Sequence, residues 1–305
     1  MGRAGDVGAA QLFYDRRMRS LWKSTVVTLE MIKWEHSVFA LPFALTGAML
    51  AAGGWPTPRV LFWIVVCMVS ARSAAMAFNR LADATLDAEN PRTAMRALPA
   101  GTLSNGFVGG FVVVSAAVFV LASAMLNRLT LELAPLALVV VLSYSYMKRL
   151  TRWSHVVLGL ALGIAPSAAW IAVRGTLDAR ILVLTGAVLL WVGGFDVLYA
   201  CQDFEHDRKV GLNSVPQAFG LVPAFWIARA MHLGMLLMLC WLIVLFGLGK
   251  LAVLGVAVVA ILLLYEHSLI SPKDLRRMNA AFFTLNGVIS IVFFGLVAAD
   301  VLLRR

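Results

Sequence analysis

Apolar residues along this 305-residue chain fall into long runs that are separated by short polar stretches. The runs lie at about 36–53, 59–79, 107–126, 130–147, 155–173, 181–200, 222–246, 250–266 and 279–302. Most of them approach the 20 or so residues that a helix needs to cross a bilayer. Turn-forming stretches at 53–56 and 174–176 separate neighbouring runs. The pattern predicts an all-α integral membrane protein with nine transmembrane helices.

The composition agrees with a chain that is solvated largely by lipid. Hydrophobic residues make up 61% of the sequence and charged residues only 14%, whereas a soluble domain has about 45–50% and about 25%. The three cysteines have no paired spacing, so we interpret them as small buried hydrophobes. We predict one transmembrane domain over residues 1–305. Its oligomeric state cannot be predicted from the sequence.

The first 35 residues mix basic, acidic and apolar side chains. They lack the uninterrupted apolar run and the cleavage site of a signal peptide. We therefore expect residues 1–35 to form an amphipathic segment on the membrane surface.

The net charge of +10 is better explained by membrane topology than by nucleic-acid binding. The basic residues are scattered, and no basic stripe with interleaved aromatic residues is present. With the N-terminus inside, 17 of the 26 Lys and Arg residues lie on the cytoplasmic side and seven on the other side. This asymmetry fits the positive-inside rule. The two long polar connections, 80–106 and 201–221, then both face the cytoplasm, where we expect the function.

Two acidic motifs with the same spacing end the second and the sixth apolar runs. The first consists of Asn79, Asp83 and Asp87, and the second of Tyr199, Asp203 and Asp207. Residues four apart on a helix share one face, so the carboxylates of each motif repel one another unless a cation lies between them. Mg²⁺ prefers carboxylate oxygens and commonly shares its coordination shell with phosphate.

The alternative reading is that each motif is an ordinary solvated helix end. Two copies, placed four apolar runs apart, favour facing metal sites and give weaker support to an internal duplication. Asp196 adds to this argument because it lies inside the sixth run, where an ionised carboxylate is costly and usually faces a cavity. Its alternative role is a packing carboxylate that is buried against Arg72 or Arg229.

Basic and phenolic residues near the same ends are candidates for binding a pyrophosphate. Tyr144 and Lys148 are four apart at the end of the fourth run, so both can point into one cavity. Arg72 lies two helical turns before Asn79. Further candidates in or beside the polar connections are Arg92, Arg96, Arg149 and Lys209. Four histidines without metal-ligand spacing are expected to be structural or interfacial, namely His36, His155, His206 and His267.

Taken together, these motifs resemble those of the UbiA superfamily of intramembrane prenyltransferases. The resemblance covers nearly the whole chain and includes both acidic motifs, Asp196, and the segment with Tyr144, Lys148 and Arg149. Within the superfamily the chain is most similar to 4-hydroxybenzoate polyprenyltransferases. Segments 36–43 and 90–96 look like the menaquinone branch of the futalosine pathway, which prenylates 1,4-dihydroxy-6-naphthoate. One departure is Arg80 after Asn79, where the ubiquinone branch usually has Asp.

The resemblance implies a bundle of nine helices around a central cavity that opens to lipid, with a polar cytoplasmic cap. It implies that Asn79, Asp83 and Asp87 hold one Mg²⁺ and that Asp203 and Asp207 hold another. The activity implied is transfer of a polyprenyl group from polyprenyl pyrophosphate to a small aromatic carboxylate. The remaining roles are substrate binding by Arg72, Asn79, Arg96, Lys148, Arg149 and Lys209, and catalysis by Asp196, Lys148, Tyr144 and Tyr199.

Two other functions fit part of the pattern. A cation-coupled transporter would have Pro- or Gly-broken helices near the membrane midplane, whereas these acidic motifs lie at the ends of runs. A CDP-alcohol phosphotransferase would need an Asp-Gly-x-x-Ala-Arg stretch, which the sequence lacks.

Overall fold

The computed structural model describes residues 26–28, 30–32, 37–278 and 284–304. Within this part, the regular structure is helical apart from an isolated bridge between Ser271 and Asp274. The helices are α1 (Ser37–Ala52), α2 (Pro58–Ala82), α3 (Ala84–Glu89), α4 (Asn105–Ala124), α5 (Arg128–Leu150), α6 (Ser154–Arg174), α7 (Ile181–Ala200), α8 (Phe204–Val210), α9 (Val215–Phe219), α10 (Leu221–Phe246), α11 (Lys250–Leu269) and α12 (Asn286–Leu303). A 3₁₀ turn, Cys201–Asp203, joins α7 to α8.

Eight of these helices are long and apolar enough to cross a membrane: α2, α4, α5, α6, α7 with its continuation through α8, α10, α11 and α12. The predicted all-α, multi-span class is therefore confirmed. Helix α1 has 16 residues and is about 24 Å long, which is less than the hydrocarbon core of about 30 Å. It borders residues 33–36, which lie outside the described residues. The ninth span stays a prediction.

Local sequence signals fix several helix ends. The Ser104 side chain accepts a hydrogen bond from the Phe107 amide at the start of α4, and Asn127 does the same for Thr130 at the start of α5. Gly175 ends α6 and Gly247 ends α10, each with a positive φ that glycine adopts without steric cost.

Helix α7 lies at the centre of the bundle. In its most apolar stretch 72% of the residues are buried, compared with 11% in that of α5. The largest buried side chain, Trp191 of α7, packs against Phe43 of α1 with ring centroids 5.0 Å apart. Phe43 in turn stacks on Phe293 of α12 at 5.6 Å. Aromatic packing thus joins the first, central and last helices.

Glycines allow α6 to approach its neighbours closely. A side chain at Gly47 of α1 would collide with the backbone of Pro166, and one at Gly159 would collide with the carbonyl of Leu189 on α7. A Cβ on Gly193 of α7 would lie 3.3 Å from the carbonyl oxygen of His155. The beginning of α6 is therefore in direct contact with the second half of α7.

The predicted amphipathic segment, 1–35, lies largely outside the described residues. Its helical residues 26–28 and 30–32 lie at the end of the bundle that carries the first acidic motif. Met31 and Ile32 are buried in one apolar cluster with Ala77 of α2 and Val108 of α4.

Candidate active site

The spacing of the first acidic motif predicts one straight helix, but the structure has a bend within the motif. Helix α2 ends at Ala82 and α3 begins at Ala84, with Asp83 (φ −100°, ψ 6°) at the bend. Backbone hydrogen bonds still connect Asp83 to Asn79 at 2.9 Å and Asp87 to Asp83 at 2.7 Å. The Asn79 side-chain amide donates to Asp83 Oδ2 at 3.0 Å. The motif therefore keeps its turn-by-turn spacing while changing direction at its middle aspartate.

The second motif has the same local conformation. Asp203 ends the 3₁₀ turn after α7 and precedes α8, with φ −97° and ψ 7°. Asp203 and Asp207 are both buried. Both middle aspartates therefore lie at equivalent bends between a membrane helix and a short polar helix. This likeness supports the interpretation of the motifs as matching halves of one site.

Two arginines from the segment after α3 pair with the acidic residues. Arg92 bonds Asp203 through Nε at 2.9 Å and through Nη2 at 2.6 Å. Arg96 Nη1 reaches both oxygens of Asp87, at 2.7 and 2.8 Å. The Asn90 amide also donates to Asp203, at 3.3 Å. The segment between α3 and α4 thereby ties the first motif to the second at one end of the bundle.

Lys148, at the end of α5, lies among the acidic residues of both motifs. It interacts electrostatically with Asp83, Asp196, Asp203 and Asp207. Its backbone carbonyl accepts a hydrogen bond from the backbone N–H of Asn213 at 2.7 Å. This bond fixes the end of α5 against the segment after α8. One cation therefore serves both acidic groups.

Two further predicted residues on α5 lie beside this lysine. Arg149 donates to Asp83 Oδ1 at 3.2 Å and to the carbonyl oxygen of Ala82. Tyr144, one turn before Lys148, interacts electrostatically with Asp196 and Asp83. Both residues thus lie next to the first motif.

Asp196 pairs with His155, which the sequence predicts to be structural or interfacial. His155 Nδ1 lies 2.6 Å from Asp196 Oδ2, and both residues are buried. The expected alternative partners, Arg72 and Arg229, are not the residues that bond it. Arg229 packs over the Trp226 ring instead, at 4.8 Å. The only sequence signal for this pairing was the position of His155 at the start of a span beside the segment with Lys148 and Arg149.

An apolar cavity of about 370 Å³ extends from this polar end into the bundle. Arg72, Asn79 and Tyr144 line its polar end, and Leu126 and Leu177 line the opposite end. Arg72 Nε is buried without a hydrogen-bond partner. An unpartnered guanidinium nitrogen at a cavity wall is costly unless a ligand acceptor satisfies it.

Two predicted site residues have other surroundings. Lys209 is exposed on α8. Tyr199 lies at the edge of the site, where its hydroxyl oxygen accepts a hydrogen bond from Arg92 Nη1 at 3.3 Å. The Arg92 guanidinium also lies 5.6 Å from the centre of the Tyr199 ring. Tyr199 therefore acts on the arginine that binds Asp203.

The donors suit a magnesium ion that shares its coordination with a ligand. Within the described residues, no three carboxylate, histidine or cysteine side chains lie close enough to enclose a metal by themselves. Arg92 and Arg96 instead pair with Asp203 and Asp87. Asp207 Oδ2 is nevertheless buried without a partner, and burial raises the pKa of the Asp83 carboxyl although Lys148 and Arg149 oppose the rise. Both carboxylates would gain from a hard cation, which fits Mg²⁺.

The model of the UbiA prenyltransferase family matches residues 40–288. The chain belongs to this family. A 4-hydroxybenzoate octaprenyltransferase of Vibrio cholerae is 33% identical over 248 residues, which cover 80% of this chain and 86% of that protein. One of Methylobacillus flagellatus is 29% identical over 256 residues, covering 84% and 86%. The chain is therefore an integral membrane prenyltransferase.

Solved structures of UbiA homologues have the same fold. The apo structure of a UbiA homologue from Aeropyrum pernix K1 has a TM-score of 0.80 and 31% identity, covering 87% of this chain and 98% of that one. A UbiA homologue from Archaeoglobus fulgidus, bound to DMAPP and Mg²⁺, has a TM-score of 0.69 at 16% identity and covers 90% and 98%. At that identity the likeness concerns the fold alone.

Proposed function

We propose that this chain transfers a polyprenyl group from polyprenyl pyrophosphate to 4-hydroxybenzoate in ubiquinone biosynthesis, with Mg²⁺ and release of pyrophosphate. The observation that carries the proposal is that Lys148 interacts electrostatically with aspartates of both acidic motifs, one helical turn after Tyr144, which lines the polar end of an apolar cavity. The names of the relatives support the acceptor. 1,4-Dihydroxy-6-naphthoate, the acceptor of the menaquinone branch, is the competing candidate.

The pyrophosphate would bind between the two motifs. Asn79, Asp83 and Asp87 would hold one ion, and Asp203 and Asp207 the other. When bound, Mg²⁺ withdraws electron density from the leaving pyrophosphate. Lys148 adds a fixed positive charge at the same place, and such preorganised charge is commonly the largest catalytic contribution.

Two arginines also belong to the part of the site that would bind the pyrophosphate. Arg92 and Arg96 now neutralise Asp203 and Asp87. Guanidinium groups bind phosphate oxygens as well as carboxylates. We therefore expect both arginines to exchange part of their carboxylate bonding for the pyrophosphate when the substrate binds.

Prenyl transfer requires the allylic C–O bond to break, with its electron pair passing to the pyrophosphate. A ring carbon of the acceptor then attacks the allylic cation and forms the C–C bond, and that carbon afterwards loses its proton to the released pyrophosphate, which restores the aromatic ring. The apolar lining of the cavity keeps water from the cation. The isoprenoid tail would lie along this cavity and continue into lipid.

The acceptor would bind beside the pyrophosphate, with its carboxylate on Arg72. Arg149, the other candidate, already bonds Asp83 and the Ala82 carbonyl, whereas Arg72 has a buried nitrogen without a partner at the cavity wall. Asp196 and Tyr144 are close enough to interact with each other. We assign Asp196 to the acceptor hydroxyl, which the carboxylate would polarise, and Tyr144 to the surrounding wall.

We also propose that the N-terminus and both polar connections face the cytoplasm of a bacterial-type inner membrane. The uneven distribution of Lys and Arg supports this orientation. It places the site on the side where a water-soluble aromatic acid is supplied.

The proposal is tested with membranes that contain the protein, a polyprenyl pyrophosphate and Mg²⁺. 4-Hydroxybenzoate and 1,4-dihydroxy-6-naphthoate are offered in competition, and the products are identified by mass. We expect prenylated 4-hydroxybenzoate as the main product, and its loss in excess chelator with recovery on adding Mg²⁺. Absence of any prenylated aromatic product, or undiminished transfer in chelator, contradicts the proposal.

A further inference from the structure

The tautomer of His155 follows from its two hydrogen bonds. Its Nε2 lies 3.2 Å from the backbone nitrogen of Val215, and its Nδ1 lies 2.6 Å from Asp196 Oδ2. A backbone amide can only donate, so Nε2 must be the acceptor nitrogen of a neutral ring. The proton is therefore on Nδ1 and is donated to Asp196.

We propose that His155 is a positioning residue for the aromatic acceptor. By holding Asp196 Oδ2, it fixes the rotation of the carboxylate and leaves Oδ1 as the oxygen for the acceptor hydroxyl. This inference rests on the proposed function, because it gives Asp196 its role there. His155 itself does not touch the substrate, since both of its nitrogens are occupied and its side chain is fully buried.

Three elements hold the ring in place. His155 is at the beginning of α6, Asp196 is on α7, and Val215 begins α9. At Gly193 a Cβ would lie only 3.3 Å from the His155 carbonyl oxygen, so α6 and α7 pack in direct contact beside this ring. These contacts fix the orientation of the imidazole, and its hydrogen bond to Asp196 fixes the rotation of that carboxylate.

The same segment reaches the pyrophosphate half of the site. Ser214 precedes Val215, caps α9 by accepting a hydrogen bond from the Gln217 backbone amide, and interacts with the side chain of Asp207. The loop after the second motif thus contacts Asp207 through Ser214 and Asp196 through His155. These contacts fix the position of the Asp196 carboxylate relative to the pyrophosphate site.

A packing role and a positioning role make different demands at this position. Packing requires only volume, whereas positioning requires a donor at the place of Nδ1. The amide of asparagine can place a donor near the Nδ1 position, and that of glutamine can reach only near Nε2. His155→Asn can therefore keep the bond to Asp196, whereas His155→Gln can keep only the bond to Val215.

The experiment measures KM for each substrate and kcat in His155→Asn, His155→Gln and His155→Ala. In the Gln and Ala variants we expect the KM for 4-hydroxybenzoate to rise about 10-fold or more, because a hydrogen bond to a charged group is lost. The KM for polyprenyl pyrophosphate should change by less than about twofold. His155→Asn should restore the acceptor KM to within about threefold of the parent. His267→Gln, a histidine of α11 whose bond is to His232, controls for the loss of a partly buried imidazole.

Equal defects in the Asn and Gln variants, no defect in either, or a defect shared by both substrates overturns the proposal. A second measurement reports the tautomer of His155 in the parent protein. Nitrogen NMR of the parent protein, labelled in histidine, should show one ring with a protonated Nδ1 and an unprotonated Nε2 that is lost in the Ala variant. The opposite tautomer also overturns the proposal. Failure of the proposed function is distinguishable, because the parent would then yield no prenylated acid at all.

Discussion

Arg92 binds Asp203 with a two-pronged contact, Nε to Oδ1 at 2.9 Å and Nη2 to Oδ2 at 2.6 Å. The two residues are 111 positions apart in sequence. Their contact closes the segment after the first acidic motif onto the second motif. The two guanidinium bonds and the bond from the Asn90 amide compensate the desolvation of the buried Asp203 carboxylate.

The first prediction concerns the middle aspartates of the two motifs. Asp83→Ala or Asp203→Ala should reduce prenyl transfer by at least about 100-fold, because each removes a carboxylate that would bind an ion beside the leaving group. The protein should still insert into the membrane, since neither residue lies within the apolar core. Transfer is measured in membranes that contain equal amounts of inserted protein.

Glu205→Ala is the matched control for the aspartate variants. Glu205 lies two residues after Asp203 and is exposed on α8. The Glu205→Ala variant should retain most of the prenyl-transfer activity. Near-normal turnover in Asp83→Ala or Asp203→Ala, or an equal loss in Glu205→Ala, would contradict the assignment of the metal site.

The membrane fold could be predicted because long apolar runs in the sequence directly indicate spanning helices. A run near 20 apolar residues has few alternatives to a spanning helix, and eight of the expected runs are helices of spanning length. The bends at Asp83 and Asp203 could not be predicted, since spacing by four is equally compatible with a straight helix.

The candidate site was predictable where chemistry sets residue types at a fixed spacing. The spacing predicts Asn79, Asp83 and Asp203 as site residues, and the structure brings both motifs to one end of the bundle. The partner of Asp196 could not be predicted, because His155 reaches it through the close crossing of α6 and α7. That crossing depends on glycines whose role is visible only when the two helices are packed together.

The second prediction concerns Arg72 and the carboxylate of the acceptor. Arg72→Ala should raise the KM for 4-hydroxybenzoate about 10-fold, because a charged hydrogen bond to the buried carboxylate is lost. The same variant should have little effect on an uncharged acceptor such as 4-hydroxybenzyl alcohol. The ratio of kcat/KM for the two acceptors is the measurement, since it cancels general losses of activity.

Arg229→Ala is the control for this experiment. Arg229 also lies within a membrane helix, but it packs over Trp226 on α10. It should leave the acceptor ratio unchanged. An unchanged ratio in Arg72→Ala would show that another group binds the carboxylate.

The third prediction concerns the length of the isoprenoid tail. Ala137 lines the cavity on α5, seven residues before Tyr144, which corresponds to about 10 Å along the helix axis. A phenylalanine at this position would narrow the cavity below the polar end without touching the residues that bind pyrophosphate. Ala137→Phe should therefore impair transfer of long polyprenyl groups about 10-fold or more while geranyl pyrophosphate is used at a near-normal rate, because overpacking of this size costs about 1–3 kcal/mol.

Val139→Phe provides the matched comparison for the tail-length experiment. Val139 is two residues further along α5, and its side chain is 63% exposed on the outer face of the bundle. The added ring would lie in lipid, so both donor lengths should react as in the parent. Donors of increasing length are compared by kcat/KM in the two variants. If Ala137→Phe slows short and long donors equally, the added ring acts on the reacting centre and the tail does not follow this cavity. If it slows neither, the tail leaves the bundle before reaching Ala137, directly from the polar end into the membrane.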